Sequence, residues 1–189
     1  MLDVDIIDAD FQTIVDDNSA LTTKKVVKEA GSYLMIFAIT AFIMTFVFSL
    51  NRIPTGSMEP TIPTGAVAVS WRLPYLVGNP VPERGDIVTF REVDSRRRIL
   101  IKRVIGLPGD TVSFEQGRVR VNGNELDEPY LMRQDSTMSR VSEYMVPDGC
   151  IFVLGDNREH SSDSRFSDDP YVPVGNIIAR FLFEYDPLF

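Results

Sequence analysis

Two patterns of apolar residues divide this chain. From Ala30 through Asn51 no residue is charged, and Tyr33 to Leu50 reads YLMIFAITAFIMTFVFSL. The run is apolar on every side rather than along one stripe, which suits lipid better than a soluble core. At ~1.5 Å per residue, about 20 such residues cross a ~30 Å hydrocarbon layer. A transmembrane helix is therefore expected over 32–50. Thr40, Thr45 and Ser49 fit within it, because a hydroxyl in a helix can bond to its own backbone.

Beyond Arg52 the pattern changes to short alternating runs separated by Pro and Gly. Strands are expected at Gly65–Ser70, Asp86–Val93, Ile99–Ile105, Thr111–Phe114, Arg118–Val121, Cys150–Leu154 and Ile177–Tyr185. Asn122-Gly123 marks a tight hairpin. Residues 115–146 are more polar and read as a small β-hairpin subdomain. Arg96-Arg97-Arg98 reads as a solvated hairpin tip. The expected fold class is all-β and mostly antiparallel, preceded by one N-terminal transmembrane helix.

The charges flanking the apolar run orient it. Lys24, Lys25 and Lys28 precede it and Arg52 alone follows closely. Basic residues beside a span stay on the cytoplasmic side. The chain is thus expected at the cell membrane as a single-pass protein. Residues 1–31 would form a cytoplasmic acidic tail, solvated and partly disordered, and 51–189 an extracytoplasmic domain. A cleaved signal peptide fits less well, since the run is long and no small-x-small site follows it.

Composition narrows the chemistry. The net charge of −8 over 189 residues argues against a nucleic-acid partner. One cysteine, Cys150, permits no internal disulfide and no thiolate cluster. One histidine, His160, sits in the polar stretch EHSSDS, so a Ser–His–Asp triad lacks a convincing base. Cys150 opens an apolar strand and reads as a small core residue. No glycine-rich phosphate loop is present.

Two other residues are candidates. Ser57 stands in IPTGSMEPTIPTG, where prolines stiffen the segment and Gly56 permits close backbone approach. Lys102 stands in ILIKRVIG. Strand alternation puts Leu100, Lys102 and Val104 on one face, and Ile99, Ile101, Arg103 and Ile105 on the other. Apolar neighbours disfavour the ammonium, and a drop of ~3 pKa units would supply a neutral amine near pH 7. Such a lysine can act as general base for a serine.

Four motifs then stand in order: SMEPT at Ser57, RGDIVTF at Arg84, IKRVIGLPGD at Ile101 and GDNREHSSDSR at Gly155. With them the chain resembles the bacterial type I signal peptidases, which remove signal peptides from exported preproteins. The resemblance runs from the apolar segment to Tyr185. It implies Ser57 as nucleophile and Lys102 as general base. It also implies that Thr55, with the Ser57 backbone N–H, forms an oxyanion hole, and that Ser161 orients the lysine amine. Arg103 with Asp156, and Asp163 with Arg165, would brace the site. Ile53, Pro54, Met58, Ile62, Leu100 and Ile101 would form pockets for small substrate side chains. The implied partners are preprotein signal peptides, the lipid bilayer and the export translocon, with no metal or organic cofactor. Where the family usually has Asp-Asn, this chain has Glu159-His160. Where a glycine is common, it has Ser167-Asp168-Asp169. The section before GDN is short, which implies a reduced second subdomain. A specialised processing peptidase, a self-cleaving serine–lysine switch and an inactive tethered β-domain are the rival readings.

Overall fold

The computed structural model describes residues 4–78, 80–92 and 98–185, with side chains described from Lys25 onward. Arg96 and Arg97, at the expected hairpin tip, lie outside the described residues. Arg98 pairs with Glu92 at 3.2 Å. The chain divides into two units, Met1–Met44 and Thr45–Phe189.

One helix, α1, runs from Val4 to Phe46. It continues well N-terminal of the apolar run, through residues for which a partly disordered tail is expected. Within it, Lys25–Phe46 is long and apolar enough to cross a bilayer, and the side chains of this stretch are exposed. A core helix would bury one face; the described stretch Lys25–Phe46 buries none. The helix also ends before Leu50, the expected limit of the span. Phe48–Arg52 instead forms strand β1, paired antiparallel with β2 (Val67–Trp71) from Phe48↔Trp71 to Arg52↔Val67. Arg72 N donates to Val47 O at 2.8 Å and closes the corner. The β2 ladder thus supplies the backbone partners that a longer helix would have supplied.

After β2 come a short helix α2 (Leu73–Val77), β3 (Ile87–Arg91) and β4 (Ile99–Gly106). Then follow β5 (Thr111–Glu115), β6 (Arg118–Val121), β7 (Asn124–Glu125) and β8 (Glu143–Met145). The chain closes with β9 (Cys150–Leu154), β10 (Val172–Pro173) and β11 (Ile177–Tyr185). A seven-stranded sheet has the order β1-β2-β11-β3-β4-β9-β10, and a four-stranded sheet the order β7-β6-β5-β8. The described pairings are antiparallel. The all-β, mostly antiparallel expectation holds, with α1 preceding it.

β4 organises the packing. Val104 enters a cluster with Val88, Phe90, Ile151 and Val153. Ile105 enters another with Val112, Val119, Tyr144 and Phe152, which joins the two sheets. Ile101 borders a third, built from Ile53, Met58, Ile62, Ala66, Ala68 and Ile87. At Gly106 a Cβ would lie 2.7 Å from Val112 Cγ2 and 2.8 Å from Val146 Cγ2, so only glycine lets the sheets meet there. The β4 edges differ along its length. β3 pairs with Ile99–Arg103, whereas β9 meets β4 from Arg103 onward. Among the described residues, Ile99–Lys102 therefore has a strand on one side only.

Candidate active site

Ser57 lies in a single 3-10 turn, Gly56–Met58, that follows extended Thr55. Met58 and Ile62 anchor this segment: both are fully buried, and Ile62 N donates to Met58 O at 2.9 Å. Asn157 holds it from the other side. Its backbone N donates to Ser57 O at 3.1 Å and its Nδ2 to Gly56 O at 3.0 Å. The approach depends on Gly155, where a Cβ would stand 2.5 Å from Ser57 O and 2.2 Å from Ser161 Oγ. The serine segment and the Gly155–Arg165 loop can meet only without that atom.

Lys102 reaches Ser57 from β4. Its Nζ donates to Ser57 Oγ at 2.6 Å, across 45 positions of sequence. The lysine is 3% exposed. Burial lowers its pKa from 10.5 to about 8, against the opposing pull of the Asp163 and Asp156 carboxylates, with Arg165 adding to the lowering. A hydroxyl held this close to a readily neutralised amine can lose its proton to it.

The residues expected as braces form two ion pairs, Arg165–Asp163 buried and Arg103–Asp156 partly buried. Arg103 Nε donates to Asp156 Oδ1 at 2.8 Å and Nη2 to Oδ2 at 2.6 Å. The Arg103 guanidinium also lies 3.8 Å from the Tyr130 ring centroid. Arg165 Nε donates to Asp163 Oδ1 at 2.8 Å, while Gly155 N donates to Asp163 Oδ2 at 3.0 Å. Sequence reasoning missed a third pair. Arg158 donates to Glu128 through Nη1 at 3.0 Å and Nη2 at 2.5 Å, and through Nε to Gly155 O at 3.0 Å. Arg158 stands inside a recognised motif, but Glu128 comes from the polar middle section, and no periodicity links them.

Other expected residues are distributed unevenly. Ile53, Pro54, Thr55, Leu100 and Ile101 border one groove with Ser57 and Lys102, about 480 Å³ in volume. Met58 and Ile62 do not. They are turned into the core with Ala66, Ala68 and Ile87, and so support the groove from beneath. Ser161 does not make the lysine contact that the resemblance implies. Its Oγ is buried without a hydrogen-bond partner, against Gly155, while the Lys102 amine is engaged by Ser57. His160 is exposed, 3.2 Å from Asn157 Oδ1 through Nδ1.

A family model, signal peptidase, peptidase S26, matches residues 24–185, nearly the whole length. The chain belongs to the signal peptidase family, peptidase S26. A signal peptidase I of Bacillus caldolyticus is 35% identical over 167 residues, 82% of this chain and 88% of that protein. Another from Leptolyngbya laminosa is 39% identical over 153 residues, 77% of this chain and 72% of that one. A crystal structure of a signal peptidase I from Enterococcus faecalis overlaps 55% of this chain and 98% of that one, at 30% identity and a TM-score of 0.47. As a signal peptidase, the chain is a serine peptidase that cleaves signal peptides from preproteins. An N-terminal apolar helix is consistent with a membrane-anchored member.

Proposed function

We propose that Ser57 is the nucleophile and Lys102 the general base of this signal peptidase. Neutral Lys102 takes the proton of Ser57 Oγ as that oxygen attacks the scissile carbonyl carbon. The oxyanion accepts from the Ser57 N–H and the Thr55 hydroxyl, each donor contributing a few kcal/mol. The lysine returns the proton to the departing amine. It then takes one from the water that attacks the acyl-serine and passes it to Ser57 Oγ as the ester bond breaks, releasing the signal peptide and restoring the hydroxyl and the neutral amine. Ser161 orients the amine by rotating its hydroxyl toward it. Arg103, Asp156, Asp163 and Arg165 hold the surrounding backbone. The observation that carries this reading is the 2.6 Å contact between a buried lysine and a serine in a braced turn.

The substrate adds as a strand along the open edge of Ile99–Lys102, and small residues before the bond enter the shallow groove. Ile53, Pro54, Leu100 and Ile101 touch it directly. What supports this is the unpaired edge beside Ser57. Met58 and Ile62 shape the groove through packing.

In cells the proposed order is a cytoplasmic segment, 1–31, a span within 32–50 and an extracytoplasmic catalytic part, 51–189. It rests on Lys24, Lys25 and Lys28 before the apolar run. The bilayer and the translocon are the proposed partners, since both meet the preprotein where its signal emerges. The decisive experiment assays Ser57→Ala and Lys102→Met in the full chain against a preprotein. Both should lose cleavage. Undiminished product from either one overturns the assignment.

A further inference from the structure

Ser167-Asp168-Asp169, the stretch that stands where a glycine is common, lines a second cavity beside Ser57 and Lys102. This cavity measures about 210 Å³ and shares Leu100 and Lys102 with the groove that holds Ser57. It is smaller than the ~300 Å³ at which small-molecule pockets begin, and suits a single side chain. Phe90, Leu100, Val153 and Val172 give it an apolar floor, drawn from one face of the large sheet. Its rim is acidic. Glu92 is paired with Arg98 at 3.2 Å, and Asp163 with Arg165 at 2.8 Å. The Asp169 carboxylate accepts only from the backbone N of Tyr171, at 3.4 Å. Asp168 is exposed and has no ion-pair or hydrogen-bond partner among the described residues.

We infer that this cavity is a subsite for a cationic side chain, lysine or arginine, at the second substrate position before the bond, with Asp168 as its specificity residue. The inference rests on the proposed seating of substrate along the open edge of Ile99–Lys102. Phe90 pairs with Leu100 and Val88 with Lys102, so these four share one sheet face, the face of the cavity floor. Thr89, Ile99 and Ile101 lie on the opposite face and line only the groove. A strand added to that edge directs alternate side chains to the two faces. The residue at the bond sends its small side chain into the groove beside Ile101. The next one outward is therefore directed over Leu100, into the cavity. There the methylenes of a lysine or arginine cover the apolar floor while the charged head reaches Asp168 at the rim. Lys102, neutral in the proposed mechanism, adds no opposing charge. A glutamate at this position meets like charge, and a neutral side chain leaves Asp168 unpaired.

The test uses the full chain in detergent at low salt. Matched preproteins keep small residues in the groove and carry lysine, methionine or glutamate at the second position before the bond. They are cleaved by wild type, Asp168→Asn and Asp168→Lys. Ratios are taken within each enzyme, so a change in folded fraction cancels. The expected wild-type kcat/KM favours lysine over methionine by roughly 2- to 5-fold, the worth of one exposed ion pair. Asp168→Asn should bring that ratio close to one, and Asp168→Lys should lower the lysine-to-glutamate ratio about tenfold. At about 1 M salt, where the Debye length is ~3 Å, the wild-type preference should shrink as well. A ratio of one in wild type, or an equal lysine preference in wild type and Asp168→Asn, overturns the inference. Either result leaves the proposed catalytic pair standing. That pair fails separately, if Ser57→Ala still cleaves.

Discussion

The chemistry of single residues turns on Lys102. In the proposed mechanism its amine must be neutral to accept the serine proton, and burial brings its pKa to about 8. Below that value kcat/KM should fall about tenfold per pH unit as the neutral form declines. A pH–rate profile measures this directly; a limb near pH 10 would mean an unburied lysine. The same shift bears on stability. The native pKa lies below that of the unfolded chain, so between about 8 and 10.5 the unfolded state binds more protons. Stability therefore rises with pH through that window, by about 3 kcal/mol in all. Below pH 8 the cost of burying the ammonium is fully present. Denaturant midpoints at pH 7.5 and 10 should separate for wild type and converge for Lys102→Met.

At the scale of elements, the site is a meeting of three segments: the 3-10 turn carrying Ser57, strand β4, and the loop from Gly155 to Arg165. Gly155 sets their distance. In Gly155→Ala the added methyl would collide with Ser57 O and Ser161 Oγ, at 2.5 and 2.2 Å. The backbone must shift, and a shift near 1 Å at the nucleophile costs on the order of 100-fold in rate. We expect at least a tenfold loss of kcat with a lowered Tm. Glu128 holds the loop from the opposite side, through Arg158. Both side chains are buried, so Glu128→Ala leaves an uncompensated guanidinium and should cost about 3–5 kcal/mol in equilibrium unfolding. Arg158→Met combined with Glu128→Leu should recover much of that loss.

For the whole molecule, the two units carry different tasks. The stretch Lys25–Phe46 exposes apolar side chains, Ile36 and Phe37 among them, as a bilayer segment requires. Charge at the centre of such a segment is costly, about 2.5–3.5 kcal/mol per residue. The double variant Ile36→Asp, Phe37→Asp should move much of the chain from the membrane pellet to the soluble fraction. The β unit carries its own three clusters of buried side chains, so its melting transition should change little.

Local pattern made much of this legible. The apolar run, the strands Cys150–Leu154 and Ile177–Tyr185, and the facing of Lys102 toward apolar neighbours follow from periodicities that a short window of sequence contains. The ordered motifs pointed to the family and to the serine and lysine. The sequence could not say where α1 yields to β1, because the strand at Phe48–Arg52 exists only through its pairing with β2. Nor could it say that Met58 and Ile62 face the core while Ile53 and Pro54 reach the groove, since a 3-10 turn breaks the alternation. The 2.6 Å contact, the Glu128–Arg158 pair and the unpaired hydroxyls of Thr89 and Ser161 depend on residues far apart along the chain. Their separations are set by register, by two glycines at close crossings and by the packing of whole sheets, which local periodicity does not encode.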